Sequence, residues 1–468
     1  MKAGNSLLLQ KPSIQAALPV PFFPVALGNR AYEKAVAECK SAAALRLALE
    51  RNQGLVHVFT TRVLVSDPSS DTARYVNRLV KFLLWQIGGW KLTVAGPAQI
   101  TSAIRSDFSA QGCQAFDAQL MEQAYGRPFT VEIVDAHDLP SAKECASSMG
   151  GHLDGCRIGF DLGASDYKLS AVHDGRAVFT TEIPWDPRSQ PDPEWHFSKI
   201  QEGLRLAASH LPRVDAIGGS SAGIILDNEV RVASLFRSVP ESLFQQKART
   251  IFHRIREAWK VPFEVANDGD VTALAGGMSL GVDAILGIAM GSSLAAGWRD
   301  GEGRILGWLN ELAFVPIDYS PEGPLDEWSG DRGCGVQFFS QQAVVRLAGV
   351  AGIVLPPGHP AEQLKHVQEL HAKGDERAAR IFESIGVYYG YAVAQFANHY
   401  PGLQHILTLG RVTSGAGGDL ILSKAREVLS TEFPELARQV ELHLPDEKSK
   451  RHGQAVAAAS LPSLVRCA

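Results

Sequence analysis

Two similar glycine turns constrain the fold of this 468-residue chain more than any other feature of its sequence. The segments GFDLGASDYKLSAVHDG, from Gly159, and GIAMGSSLAAGWRDG, from Gly287, each place a Gly-x-Ser turn between two apolar runs and end on Asp-Gly. Asp-Gly favours a tight hairpin because both central residues can adopt positive φ. The pattern therefore predicts the same strand–turn–strand unit twice, and with it two lobes of similar architecture.

The turns also indicate what they could bind. Small residues at a turn let successive backbone N–H groups approach an anion closely. Two facing copies could therefore hold the phosphates of one nucleotide between two lobes. The turn serines, Ser165, Ser292 and Ser293, would donate hydrogen bonds to phosphate oxygens, whereas ordinary turn serines would have no chemical role.

The overall composition narrows the class of protein. The formal net charge is -5 and the chain has no dense run of lysine or arginine, so we expect no nucleic-acid partner. No apolar run is long enough to cross a bilayer, and prolines interrupt the N-terminal stretch. The six cysteines show no C-x-x-C spacing, which fits reduced thiols. We therefore predict a cytoplasmic protein without a membrane segment, and homo-oligomerisation stays open.

The position of the repeat divides the chain into three predicted domains. Residues 1–150 lack it and are predicted to form an additional N-terminal α/β domain, with a helix over residues 31–51 and then alternating strands and helices. Its role is either packing or oligomerisation, or the binding of an effector. Residues 151–266 and 267–468 are predicted to form two lobes, each a mixed sheet covered by helices, with a ligand cleft between them.

Four segments resemble motifs of a known superfamily. They are Asp161-Leu162-Gly163-Ala164-Ser165 with Lys168, Asn267-Asp268, Gly291-Ser292-Ser293, and Leu409-Gly410 followed by Gly415 and Gly417. These segments resemble the phosphate, catalytic and adenosine motifs of actin-like ATPases, and within them the chain is most similar to ROK-family sugar kinases, over residues 156–468. The resemblance implies an α/β fold of duplicated actin-like ATPase (ribonuclease H-like) domains with an inter-lobe cleft. It also implies ATP and Mg²⁺ as cofactors and a sugar as the small-molecule partner.

The resemblance assigns nucleotide contacts to both turns and to the glycine-rich segment near residue 410. The residues are Asp161, Gly163, Ser165, Lys168, Gly291, Ser292, Ser293, Gly410, Gly415 and Gly417. Asp161 would hold Mg²⁺ through water and so help to neutralise the phosphates, while the alternative is a structural Asp that caps a turn. Lys168 could instead point to solvent, because side chains alternate along a strand.

Asp268 is the predicted catalytic residue. It follows the run VPFEVAN, where a strand is expected to end and a helix to begin. A carboxylate there can accept the proton of a hydroxyl that attacks the γ-phosphate. In the family, the matching Asp is the catalytic base and the Asn before it binds the sugar. The alternative is a helix N-cap, although Asp270 could take that cap and leave Asp268 free.

Further substrate contacts are expected in two segments. GGSSAGIILDN resembles the family's strand-to-loop segment near the sugar and indicates Ser221 and Gly223. NELAFVPID resembles the segment with the sugar-binding Glu and aligns Glu311 with it. With Asn267, these are the predicted substrate-binding residues. Glu311 could instead form a structural ion pair, because burying it without a partner would be costly.

One departure from the family concerns zinc. The ROK pattern has a His after that Glu and then a cysteine cluster, which together bind a structural zinc. This chain has Phe314 at the His position and retains only Cys334. One thiolate cannot complete a four-ligand site, so no zinc site is predicted there. We expect the corresponding wall to be rebuilt from Phe314, Trp328 and their neighbours.

Together these observations predict an ATP- and Mg²⁺-dependent sugar kinase, a phosphotransferase with an alcohol group as acceptor. The alternative is a ROK-like sensor or regulator that binds a sugar or nucleotide without turnover. Residues 1–150 contain no convincing helix-turn-helix, which argues against a DNA-binding regulator.

Overall fold

The computed structural model describes residues 6–66, 70–144, 149–163, 166–445 and 453–464. The N-terminal segment, residues 6–144, contains α1 (Val25–Glu38), β1 (Ala43–Glu50), β2 (Val56–Val63), α2 (Asp71–Ile87), β3 (Lys91–Ala95), α3 (Ala98–Asp107), α4 (Ala115–Tyr125) and β4 (Thr130–Ile133). Its sheet has the order β2-β1-β3-β4, in which β3 and β4 are parallel and the other neighbours are antiparallel. The alternation of strands and helices predicted after residue 51 is present.

The helix predicted over residues 31–51 is wrong in its second half. The helix ends at Glu38, and Ala43–Glu50 forms β1 between β2 and β3. The sequence AALRLALE consists mostly of good helix formers, so local propensity favours a helix. Hydrogen-bonded neighbours on both sides and the burial of its three leucines override that propensity.

The first lobe is a five-stranded mixed sheet with helices packed on it. Its elements are β5 (Cys156–Leu162), β6 (Asp166–His173), β7 (Arg176–Pro184), α5 (Pro193–Ala208), β8 (Ala216–Ser221), β9 (Ile224–Leu226), β10 (Glu229–Val232), α6 (Glu241–Leu243), α7 (Ile251–Trp259) and β11 (Phe263–Asn267). The strand order is β11-β8-β5-β6-β7. Strands β5, β8 and β11 are parallel, whereas β6 and β7 form antiparallel hairpins, and β9 and β10 form a separate ribbon.

The second lobe repeats this plan with four strands. Its elements are α8 (Asp268–Leu280), β12 (Ile285–Met290), β13 (Leu294–Arg299), α9 (Val336–Phe339), α10 (Gln341–Val350), α11 (Pro360–Ala372), α12 (Glu376–Ala397), β14 (His405–Leu409), α13 (Ala416–Glu432), α14 (Pro434–Gln439), β15 (Glu441–His443) and α15 (Gly453–Ala459). The strand order is β13-β12-β14-β15, with β13 antiparallel to β12 and the other neighbours parallel.

The two sheets share one topology. Strands β5, β6, β8 and β11 of the first correspond to β12, β13, β14 and β15 of the second. The helices that follow the last strands are exchanged between the lobes. Helix α8 leaves β11 and packs on β12 and β13, whereas α15 follows β15 and packs on β5 and β8, and the two helices contact each other. This confirms the predicted duplicated α/β fold, while the boundaries at residues 150 and 266 stay predictions.

The hydrophobic cores show how the three parts are joined. One core contains residues of both the N-terminal segment and the second lobe, and the first lobe has a core of its own. Ring contacts cross the shared core, with centroids 4.6 Å apart between Phe22 and Tyr388 and 4.2 Å apart between Trp85 and Phe314. The N-terminal segment is therefore built onto the second lobe rather than held apart from it.

Candidate functional site

The two glycine turns close equivalent hairpins. The N–H of Gly163 donates to the carbonyl oxygen of Asp166 at 3.0 Å, and the N–H of Gly291 donates to that of Ser293 at 2.9 Å. These two N–H groups therefore stabilise the turns themselves. Ser292 and Ser293 are exposed. Ser165 lies outside the described residues, and the phosphate contacts of both turns stay predictions.

Asp161, the next-to-last residue of β5, has a partner on each carboxylate oxygen. The strand register pairs Asp161 with Lys168 on one side and Ser220 on the other, so the three side chains emerge on one face. Ser220 Oγ donates to Asp161 Oδ1 at 2.7 Å, and Lys168 Nζ lies 3.5 Å from Oδ2. Burial raises the pKa of Asp161, and the Lys168 ammonium opposes that shift. Lys168 thus faces Asp161 instead of solvent, which settles the alternative left by the sequence.

Asp268 is the first residue of α8, at the end of β11. The N-cap is Asn267, whose Oδ1 accepts a hydrogen bond from the Gly269 N–H at 2.7 Å, so neither Asp268 nor Asp270 is the cap. Asp268 Oδ1 lies 3.0 Å from the same N–H. Burial, and then the negative charge of Asp161, raise the pKa of Asp268 to about 7. The two carboxylates of the predicted active site are therefore close enough to influence each other.

The other predicted substrate residues differ in their surroundings. Asn267 Nδ2 donates to the carbonyl oxygen of Gly223 at 2.7 Å, which ties the end of β11 to the loop after β8. Ser221 is fully buried and pairs in register with Leu162, on the opposite face of the sheet from Ser220. Ser221 therefore lies away from Asp161, and the serine that contacts it is Ser220. Substrate contacts of Asn267, Ser221 and Gly223 stay predictions.

A cavity of about 980 Å³ opens beside Asn267 and Asp270. All three parts of the chain line it. The N-terminal segment contributes residues 51–53 and Leu55, the first lobe residues 224–228, and the second lobe residues 305–309 and Glu311. Asp270 is buried and accepts a hydrogen bond from Asn310 Nδ2 at 3.0 Å. The volume is ample for a small polar molecule such as a monosaccharide.

Glu311 is a second carboxyl of this cavity with a raised pKa. Burial, followed by the charges of Asp268 and Asp270, raises its pKa to about 8. Its backbone N–H donates to the carbonyl oxygen of Trp85 at 2.9 Å, at the end of α2. The second lobe therefore presents Glu311 on a loop that is hydrogen-bonded to the N-terminal segment, a contact that the sequence did not reveal.

The same loop is fixed further along by aromatic and ionic contacts. Phe314 stacks on Trp85 and packs against Trp328 at a centroid distance of 5.2 Å. Asp331 forms an ion pair with Arg78 of α2 and lies 3.0 Å from Lys81 Nζ. Phe314 and Trp328 thus contact each other on a support that comes from the N-terminal segment, and their role as a wall of the substrate site stays a prediction.

Lys81 and Cys334 are both buried in the interior. Lys81 is fully buried and lies 3.1 Å from Asp117, which also accepts a hydrogen bond from Trp85 Nε1 at 2.9 Å. Cys334 is buried, and among the described residues it belongs to no group that could hold a metal ion. The predicted absence of zinc at this position stays a prediction.

In the glycine-rich segment after β14, two of the predicted glycines are packed closely against other residues and one is not. A Cβ on Gly410, at φ +104°, would overlap the backbone of Met290, and one on Gly417 would lie 3.0 Å from the Phe382 ring. Gly415 precedes α13 at φ +68°, and a Cβ there would extend into open space. Protein packing thus accounts for two of these glycines, and the adenosine contacts of all three stay predictions. No helix in the described parts of the chain is long and apolar enough to cross a membrane.

Comparison with known proteins concerns the fold. No family model and no curated protein matches the chain. The ROK hexokinase from Thermus thermophilus matches 66% of this chain and 97% of its own, with a TM-score of 0.53 and 19% identity. A ROK family glucokinase from Streptomyces griseus, solved with glucose and AMPPNP, gives a TM-score of 0.48 and 22% identity over 66% and 99% of the two chains. A ROK family transcriptional regulator, homologous to the E. coli MLC protein, has a TM-score of 0.47 and 20% identity. The match covers 78% of this chain and 89% of the regulator. The duplicated sheets and the similarity to the Thermus hexokinase establish that this chain has the actin-like ATPase fold of ROK-family proteins.

Proposed function

We propose that the protein is an ATP- and Mg²⁺-dependent kinase that transfers the γ-phosphate to a hydroxyl of a sugar or sugar-like small molecule. The observation that carries the proposal is Asp268, a carboxyl with a pKa of about 7 at the start of α8. Residues on both sides of it, Asn267 and Asp270, line the 980 Å³ cavity. A base whose pKa lies near the working pH combines a usable ionised fraction with enough affinity for the proton.

In the proposed mechanism, the acceptor binds on one side of Asp268 and the magnesium–nucleotide complex on the other. On the cavity side, Asn267 and Glu311 would hold the acceptor, and Asp268 would take the proton of the reacting hydroxyl. On the other side, Asp161 has the hard oxygen donors that Mg²⁺ prefers, which fits a water-mediated magnesium. Bound MgATP would supply the phosphoryl group and the counter-charge for its transfer. With its pKa of about 8, Glu311 is protonated near neutral pH and can donate a hydrogen bond to a sugar oxygen.

The decisive experiment is Asp268→Asn, tested by ADP release with a panel of sugars and by nucleotide binding. The amide keeps the size of the side chain but cannot accept the proton, so turnover should fall by about a thousandfold while nucleotide binding persists. Asp283→Asn is the matched control, because Asp283 belongs to the same lobe and pairs with Arg299 away from the cavity. Turnover like that of the unmodified protein in Asp268→Asn would refute the proposal.

A second candidate function is a sugar or nucleotide sensor without turnover. One observation favours it, namely that Ser220 and Lys168 already occupy the two oxygens of Asp161. A sensor would bind a sugar and ATP without producing ADP. Calorimetric binding of both ligands together with no sugar-dependent ADP release would support the sensor and exclude the kinase.

A further inference from the structure

Two histidines and a glutamate meet on one face of the second-lobe sheet. His405 begins β14, and Glu441 and His443 are the first and last residues of β15. The register pairs His405 with Glu441 and Leu407 with His443. Because residues two apart on a strand share a face, and paired residues share it as well, all three side chains lie together.

This place in the fold is distant from the proposed active site. Strand β14 runs from His405 to Leu409, and Leu409 pairs with Ala289, close to the Gly291 turn. His405 therefore lies at the end of β14 that is away from this turn. The cluster therefore belongs neither to the phosphate turns nor to the 980 Å³ cavity, whose lining does not include it. Its side chains are not required by the mechanism proposed above.

The mutual distances of the three donor atoms match those around a bound metal ion. His405 Nδ1 and His443 Nε2 are 3.1 Å apart, and Glu441 Oε2 lies 3.9 Å from the first and 3.8 Å from the second. The nearest point equidistant from the three lies in their plane, about 2.1 Å from each atom, which is the usual length of zinc bonds to imidazole nitrogen and carboxylate oxygen.

We propose that His405, Glu441 and His443 bind a divalent transition-metal ion, with Zn²⁺ as its most suitable representative. Imidazole donors select such ions over Mg²⁺ and Ca²⁺, which prefer oxygen ligands. The side chain of Glu441 is 70% exposed, so water can reach the fourth coordination position. This site differs from the cysteine-based site of the ROK pattern both in its ligands and in its position.

The ion would act on the edge of the sheet. Strand β15 has three residues and joins β14 through three register pairs. A metal bound by one side chain from β14 and two from β15 would link these strands. Because only the folded chain brings the three ligands together, binding of the ion would stabilise the folded state. Without an ion, the same residues form a histidine–histidine hydrogen bond, and that is the competing explanation for their proximity.

The test is a titration of the full chain with Zn²⁺, followed by calorimetry and by thermal unfolding with and without the metal. We expect one equivalent to bind and to raise the melting temperature. His443→Gln should weaken binding at least about tenfold and abolish the thermal shift. Glu441→Gln, at an exposed side chain that cannot endanger folding, should weaken binding as well.

A second cluster in the chain supplies the matched control. Asp135, His137 and Asp138 are all exposed and also lie close enough together to hold an ion. His137→Gln should leave Zn²⁺ affinity and the thermal shift unchanged. The proposal is overturned if His443→Gln and Glu441→Gln bind Zn²⁺ like the unmodified chain, or if His137→Gln is the variant that loses binding. Co²⁺ provides an independent reading, since a tetrahedral site gives intense visible absorption that His443→Gln should lack.

Discussion

The hairpins of the two lobes share a backbone plan and differ in their side chains. When Gly163 is aligned with Gly291, Asp161 corresponds to Ala289. The neighbours of Asp161 on the flanking strands are Lys168 and Ser220. Those of Ala289 are Ala295 and Leu409. The two lobes therefore share the backbone of the hairpin. At the aligned position, only the first lobe has an ionisable side chain, Asp161.

The second lobe contributes to the site by another route. Glu311 lies on a loop after β13, and that loop is held by α2 of the N-terminal segment. The first lobe therefore carries its carboxylate on its own sheet, while the second lobe depends on a separate segment to position one. The difference indicates that residues 6–144 help to shape the cavity in addition to packing.

Substitution at the two aligned positions gives the sharpest test of this asymmetry. Asp161→Asn should lower sugar-dependent ADP release by about a thousandfold, because it removes the charge expected to hold Mg²⁺ near the phosphates. Ala289→Ser at the equivalent position should leave the rate within about twofold. The comparison fails if both variants are equally active, or if Ala289→Ser is the more damaged of the two.

The support of the second-lobe loop can be tested at Lys81. Lys81→Met leaves Asp117 without its buried cation and leaves Asp331 paired with Arg78 alone, so the free energy of unfolding should fall by about 4 kcal/mol. If the loop shapes the cavity, KM for the acceptor should rise more than kcat falls.

Lys91→Met is the control for this prediction. Lys91 pairs with Glu132 in the same segment, but the Glu132 side chain is 52% exposed. Loss of this ion pair should therefore lower the free energy of unfolding by about 1 kcal/mol or less. Urea denaturation and steady-state kinetics measure both variants. Equal losses in the two would show that the buried network does not support the loop.

The glycines that precede the two turns test how closely each sheet meets its exchanged helix. A Cβ on Gly159 would overlap the carbonyl oxygen of Ala455 in α15, whereas one on Gly287 would lie 3.0 Å from the backbone nitrogen of Ala273 in α8. Gly159→Ala should therefore cost about 2–3 kcal/mol of stability and Gly287→Ala about 1 kcal/mol. Chemical denaturation measures the stability of both variants. A larger loss in Gly287→Ala than in Gly159→Ala would contradict this account of the packing.

The sequence predicted what local chemistry determines. The hairpins β5–β6 and β12–β13 follow from glycine turns between apolar runs, and the place of Asp268 follows from a buried strand that runs into a helix. Strand β1 was missed because its residues favour a helix until the neighbouring strands pair with it. The contact of Ser220 with Asp161 was missed because a strand register, which sets the face of each side chain, cannot be read from one strand alone.

Contacts between distant parts of the chain were also beyond the sequence. Arg78 and Asp331 are separated by 253 residues, and neither stands in a motif. Nothing local distinguishes such an ion pair from ordinary surface charges. The function of the N-terminal segment was left open for the same reason, since its contribution consists of contacts made by α2.

The stability of the protein should depend on pH through one carboxyl beside each lobe. Asp268, at the end of the first-lobe sheet, and Glu311, on the second-lobe loop, have pKa values raised to about 7 and about 8. The folded state therefore binds protons more tightly than the unfolded state, whose carboxyls titrate near pH 4. The stability from this source is complete below pH 4 and is lost as pH rises through 7 and 8.

Between pH 5.5 and 8 the free energy of unfolding should accordingly fall. Glu311→Gln should reduce that slope, whereas Glu322→Gln, at an exposed residue, should not. Turnover should change in the opposite direction, because Asp268 must lose its proton to act as a base. Urea denaturation and ADP release across the same pH range measure the two trends. Parallel trends would show that the group that titrates is not the one that accepts the proton.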